Sequence, residues 1–144
     1  MFVDADVVFA GSASPTEHGA SLVILRMGEI TLMDAVTSCQ AISEAERNLA
    51  AKMPAALSTF RLMVQRCLRV VTDPSQQDGA KYAGIAHPKD LPILVAAVRE
   101  CCEWLLTFNV DDYLPGHPEV TVLRPGAFIQ RVRTLLTHLE LARE

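Results

Sequence analysis

The chain has 144 residues, half of them apolar and 21% charged, which is enough apolar side chain to bury a core and excludes a disordered segment. Seventeen acids against thirteen bases leave a net charge of −4, which excludes a general electrostatic affinity for nucleic acid. No apolar run is long enough to span a bilayer, and Met1 leads directly into FVDAD with no basic leader and apolar stretch, so neither a membrane protein nor a secretory signal is expected.

The opening FVDA is short, apolar and compatible with a strand. DVVFAGSAS reads either as a helical turn capped by Asp6 or as the strand continued. Pro15–Met27 carries Ala20, Leu22, Val23, Leu25 and Met27 and reads as a helix, with Gly28 placed as a C-cap glycine. Ile30–Val36 reads as a second, weaker strand. Cys39–Met53 is helical, with Ala41, Ile42, Ala45 and Leu49 on one side. Pro54 opens another helix that runs to about Arg66. LRVVT is a third strand and DPSQQDG a turn-rich loop. A helix over Asp90–Cys102 carries Pro92 in its first turn. WLLTF and VTVL are the fourth and fifth strands, and Pro125–Arg143 is a closing helix. Strands alternating with helices predict a single α/β domain over residues 1–144, a three-layer sandwich around a parallel sheet of four to five strands.

The four cysteines form no Cys-x-x-Cys pair. They read as buried free thiols of a cytoplasmic protein, without the spacing of a zinc site.

Acids recur at the ends of the apolar segments. Asp4 ends the first strand, Glu44 and Glu46 lie on the second long helix, Asp90 opens a helix, and Asp111 and Asp112 follow WLLTF. Ligands of open parallel sheets gather at the carboxyl ends of the strands. Carboxylates brought together there repel unless a cation neutralises them, so a hard divalent ion, Mg²⁺ or Mn²⁺, is the economical expectation. Helix geometry leaves Glu44 and Glu46 equivalent, because they flank the apolar stripe on opposite sides. Asp90 also reads as an ordinary N-cap. Between Arg47 and Val71 stand five bases and no acid, a stretch able to meet phosphate even on an acidic protein.

Five stretches together resemble the PIN domains: FVDADVVFAGSAS, ISEAERNLAAKMP, HPKDLPILVAAV, WLLTFNVDDYL and VTVLRPGAFI. The likeness runs over nearly the whole chain, in the family's order. It implies an α/β/α fold with a parallel sheet and a metal-dependent endoribonuclease, as in the VapC-type toxins of toxin–antitoxin pairs. By that resemblance Asp4, Glu44 and Asp90 are the catalytic, metal-binding acids. Where the family has Thr-x-Asp, this chain has Thr107 and Asn109, so Asp112 takes the fourth acidic place. Asp6, Thr107 and Asn109 are supporting residues, and Arg47, Lys52 and Arg61 would hold the RNA. The resemblance further implies a small antitoxin that occludes the acidic cleft and a homodimer. Two rivals stand beside it: a binding module of the same fold without nuclease activity, and an enzyme acting on another phosphate ester.

Overall fold

The computed structural model describes residues 1–13, 16 and 19–142. The expected helix start at Pro15 and helix end at Arg143 lie outside them. The elements are β1 (Phe2–Val3), α1 (Ala5–Ala13), α2 (Gly19–Glu29), β2 (Val36–Ser38), α3 (Cys39–Lys52), α4 (Leu57–Cys67), β3 (Arg69–Val71), α5 (Gln76–Lys81), α6 (Leu91–Arg99), β4 (Trp104–Leu106), β5 (Thr121–Leu123) and α7 (Pro125–Leu141). Short 3₁₀ turns precede α4 (Pro54–Ala56) and follow β4 (Val110–Tyr113).

All five strands are parallel, in the order β3-β2-β1-β4-β5. Phe2 pairs with Val36 on one side and Leu105 on the other, and Val3 pairs with Leu106. Strands β1 and β4 lie inside the sheet and are apolar runs, central β2 buries Thr37 and Ser38 beside Val36, and β3 at one edge carries exposed Arg69 and Val70. Right-handed crossovers β1→β2→β3 set α1–α4 on one face, and the return from β3 to β4 sets α5 and α6 on the other. The last helix, α7, comes back to rest on α2. Phe2, Val3, Leu49, Phe60, Leu94, Leu105 and Phe128 form the core. This is the three-layer α/β sandwich expected.

Several local expectations give way to packing. Residues 30–35 form a turn and loop, and β2 begins only at Val36. Helix α2 continues through Gly28, and Thr31 takes the left-handed conformation (φ 59°), its N–H donating to the Gly28 carbonyl and that of Leu32 to Met27. Gly28 is required for a different reason: a Cβ there would stand 2.1 Å from the Cys67 carbonyl oxygen. Asp6 lies inside the first turn of α1 rather than at its cap, because the Asp4 carbonyl receives the Val7 and Val8 amides (both 3.2 Å). The expected loop DPSQQDG contains the start of α5, capped by Ser75 Oγ accepting the Asp78 N–H at 3.1 Å. Helix α6 is shorter than expected and stops before Cys101, whose φ is +54°. Cys67 and Cys102 are buried, but Cys39 and Cys101 are exposed. No helix among the described residues is long and apolar enough to cross a membrane.

Candidate active site

The sheet order reverses beside β1: the chain leaves β1 toward β2 and β3, and later returns to place β4 on its other side. Such a switch point opens a crevice at the carboxyl ends of the strands. Here β1 ends on Asp4 and β4 runs into Thr107, and the Asp4 N–H donates to the Leu106 carbonyl at 3.0 Å, which ties the two exits together. A cleft of about 170 Å³ lies above them, lined by Asp4, Asp6, Glu44, His87, Lys89, Asp90, Asn109 and Asp112. Acids from four separate stretches of sequence thus share one wall-to-wall space.

Asp4 is 8% exposed. Its Oδ1 accepts the Ala5 N–H at 2.7 Å and its Oδ2 the phenol of Tyr113 at 2.6 Å. Burial raises its pKa, these bonds oppose the rise, and the charge of Glu44 adds to it. Tyr113 is itself buried, and burial with the Asp4 charge pushes its phenol far up, so it stays a donor. Tyr113 is a site residue for which the sequence offers one signal, an aromatic directly after Asp111-Asp112.

Asp6 turns across to the β4 exit. Its Oδ2 accepts from Phe108 N–H (2.9 Å), Thr107 Oγ1 (3.2 Å) and Asn109 Nδ2 (3.3 Å). Thr107 Oγ1 in turn accepts the Asn109 N–H at 3.1 Å. Asp6 Oδ1 is buried and accepts no hydrogen bond among the described residues. Burial, and then the charge of Asp4, push the Asp6 carboxyl up to about 6.

Asp90 stands at the N-cap of α6, yet its carboxylate makes no capping hydrogen bond and faces the cleft instead. Its pKa is raised by burial and by the charges of Asp4 and Asp112, against the pull of Lys89. Glu44 lines the cleft, where its Oε1 meets Lys89 Nζ at 3.2 Å. Glu46 points elsewhere and pairs with Arg61 at 2.8 Å, so the structure separates the two glutamates that helix periodicity left equivalent. Asp112 reaches the cleft from its exposed rim. Lys89 and His87, whose Nδ1 lies 3.7 Å from Asp90 Oδ2, are cleft residues that the sequence reading did not single out.

The basic stretch is divided by the fold. Arg47 lines a hollow next to the cleft together with Glu44 and Lys89. Lys52 is exposed over the Phe9 ring at 6.0 Å, and Arg61 is engaged by Glu46. Arg69, at the amino end of β3, is bound to Asp34 (2.8 Å) and Glu100 (3.2 Å), at the edge opposite the cleft, with Arg66 beside it.

Among the described residues, no three acidic, histidine or cysteine side chains enclose a metal by themselves. A small hard ion does not need such a cage, since Mg²⁺ keeps most of its water and binds through one or two carboxylates. The cleft supplies several carboxylate oxygens, whose pKa values are raised first by burial and then by one another's charges, and one buried Asp6 oxygen without a hydrogen bond among the described residues. These features fit such an ion.

No protein-family model matches the sequence, and no curated protein matches it. Among solved structures, VapC20 of Mycobacterium tuberculosis, a toxin that cleaves the sarcin–ricin loop, is similar over 83% of this chain and 97% of its own, at 17% identity and a TM-score of 0.59. VapBC2 of Rickettsia felis, solved bound to a DNA fragment from its promoter, is similar over 85% of this chain and 96% of its own, at 16% identity and a TM-score of 0.60. The three-layer sandwich built around this cleft is therefore the PIN-like fold of the VapC toxins.

Proposed function

We propose that this protein is a metal-dependent endoribonuclease that hydrolyses RNA phosphodiester bonds, and that it works as the toxin of a toxin–antitoxin pair in the cytoplasm. The observation that carries this reading is the convergence of Asp4, Glu44, Asp90 and Asp112 on one cleft at the switch point of the sheet. The fold it shares with a toxin that cleaves the sarcin–ricin loop supports the same reading.

Asp4 and Asp90 would hold Mg²⁺ or Mn²⁺, with Glu44 and Asp112 acting through water. When bound, such an ion supplies a Lewis acid for the phosphate and an acidified water as nucleophile. Tyr113 and the Ala5 amide hold the Asp4 carboxylate in one orientation. Asp6, Thr107 and Asn109 keep the β4 exit against the start of α1. Arg47 and Lys89, beside the cleft, would meet backbone phosphates; Lys52 and Arg61 are proposed as further RNA contacts, although Arg61 is engaged by Glu46, and such contacts position the strand without reading its sequence. A small antitoxin would cover the cleft with a basic side chain, and a homodimer is part of the proposal.

The test is cleavage of mixed RNA with Mg²⁺ or Mn²⁺, and with excess chelator. Asp4→Asn should abolish cleavage while thermal stability stays the same or rises, because a desolvated charge is removed. Cleavage that survives the substitution or the chelator sinks the mechanism. One observation favours a binding module instead: Lys89 already neutralises Glu44. That reading predicts metal-independent RNA binding with no cleavage.

A further inference from the structure

A second hollow, of about 320 Å³, adjoins the acidic cleft and shares Glu44 and Lys89 with it as a common wall. Its remaining lining, Gln40, Ser43, Arg47 and Asn48, falls on one face of α3 at helical spacing. The charge changes sign across that wall: the cleft is acidic, whereas the hollow sets Arg47 and Lys89 against Glu44 alone. Glu44 is already taken up by Lys89, and Arg47 makes no ion pair among the described residues. Gln40 fixes the shape. Its backbone N–H donates to Asp73 Oδ1 at 2.8 Å and its Nε2 to the Lys89 carbonyl at 3.2 Å, which fastens the start of α3 to the loop that carries Lys89. Asn48 is exposed, and its side-chain amide makes no hydrogen bond among the described residues.

Ligand sites measure about 300–1,000 Å³. The hollow reaches the lower end of that range, and the cleft, at about 170 Å³, does not. A strand whose scissile phosphate sits at the acids finds in the hollow the adjoining space for a base. We propose that the hollow is a base-selecting subsite, which takes one unpaired nucleotide beside the scissile phosphate and prefers adenine. This rests on the ribonuclease reading above. Arg47 and Lys89 meet the phosphate, and Asn48 reads the base. An amide offers one donor and one acceptor side by side, which matches the N6 and N7 edge of adenine. Cytosine needs a free carboxylate to accept from its amino group, and Glu44 is engaged. Guanine needs a guanidinium turned to its O6 and N7 edge, which Arg47 does not supply while it holds the phosphate. The nucleotide is unpaired, because side chains cannot read the deep, narrow major groove of an RNA duplex.

The experiment measures binding of fluorescein-labelled uridine octamers that carry A, C, G or U at one central position, in chelator. Cleavage of mixed RNA in Mn²⁺ is sequenced alongside. The unaltered protein should bind the A octamer at least about fivefold more tightly than the other three, the lower end of what an amide–base pair discriminates. Asn48→Ala should erase that preference and leave the affinity for the U octamer and the melting temperature unchanged. Asn48→Asp keeps the shape but only accepts, and should move the preference to C. Arg47→Gln should weaken all four alike and lower the slope of log affinity against log salt by about 0.7, one phosphate contact on a single strand. The RNA ends should carry A beside the cut and lose it in Asn48→Ala. Equal binding of the four octamers, a preference for another base, or an A preference that survives either Asn48 variant overturns the subsite, while Mn²⁺-dependent cleavage keeps the ribonuclease reading standing. If the Asn48-dependent preference for A is found but no RNA is cleaved in Mn²⁺, the hollow stands as a binding site and the ribonuclease reading falls.

Discussion

The phenol of Tyr113 and the carboxylate of Asp4 meet at 2.6 Å in the buried floor of the cleft, although 109 positions separate them in sequence. The bond holds a desolvated acid in place and opposes the rise in its pKa. Tyr113→Phe keeps the ring and removes the donor. A hydrogen bond to a charged group contributes roughly 1.5–3 kcal/mol, so a loss of about that size is expected in urea denaturation of the metal-free protein. The pH at which cleavage begins should also move upward, because Asp4 then ionises less readily. Unchanged stability together with an unchanged pH profile would show that the bond does neither.

Asp6 makes stability fall as pH rises. Its carboxyl is raised from the ordinary 3.8 to about 6, so between those values the unfolded chain has released the proton while the folded chain keeps it. Above about pH 6 the full cost of the buried charge is present, on the order of 3 kcal/mol. In chelator, Asp6→Asn should therefore be the more stable protein at pH 7, and the gap should close by about pH 4. A gap that stays flat across that window contradicts the assignment.

Lys89 is a built-in cation at the mouth of the cleft, 3.2 Å from Glu44. Both groups are partly solvated, and surface pairs of this kind contribute under about 1 kcal/mol. Lys89→Met should leave the melting temperature nearly unchanged. It should tighten Mn²⁺ binding severalfold, since the competing positive charge is gone, and weaken RNA binding at low salt. Looser Mn²⁺ binding in the variant would mean that Lys89 organises the site rather than competing for it.

Gly28 tests the packing that carries β2 to its place. A methyl there would stand 2.1 Å from the Cys67 carbonyl oxygen and 2.9 Å from Ala35 Cβ. Backbone cannot move aside as a flexible side chain can, so Gly28→Ala should cost more than about 2 kcal/mol, at the upper end of what overpacking costs. The melting curve reads this directly, and a neutral result would require α2 to sit farther from the end of α4.

The sequence alone determined the alternation of strands and helices, the parallel sheet, and the positions of Asp4 and Asp90 at element ends and of Glu44 within a helix, because apolar spacing and proline placement act within a few residues. It also carried the motif likeness that led to the fold. Tertiary structure alone decided which acids face each other and what holds them. Glu44 and Glu46 are equivalent by periodicity, and only the placement of Lys89 and Arg61 tells them apart. The run of bases from Arg47 to Arg69 looks like one surface on paper, but α4 carries its far end to the opposite edge, where Asp34 and Glu100 take up Arg69. Gly28 serves a close approach to Cys67 instead of a helix end. The donors to Asp6 Oδ2, and the Tyr113 phenol that bonds Asp4, lie more than a hundred positions away. They become neighbours only because β4 inserts beside β1, and that pairing is set by burial of the whole sheet, which no local stretch of sequence encodes.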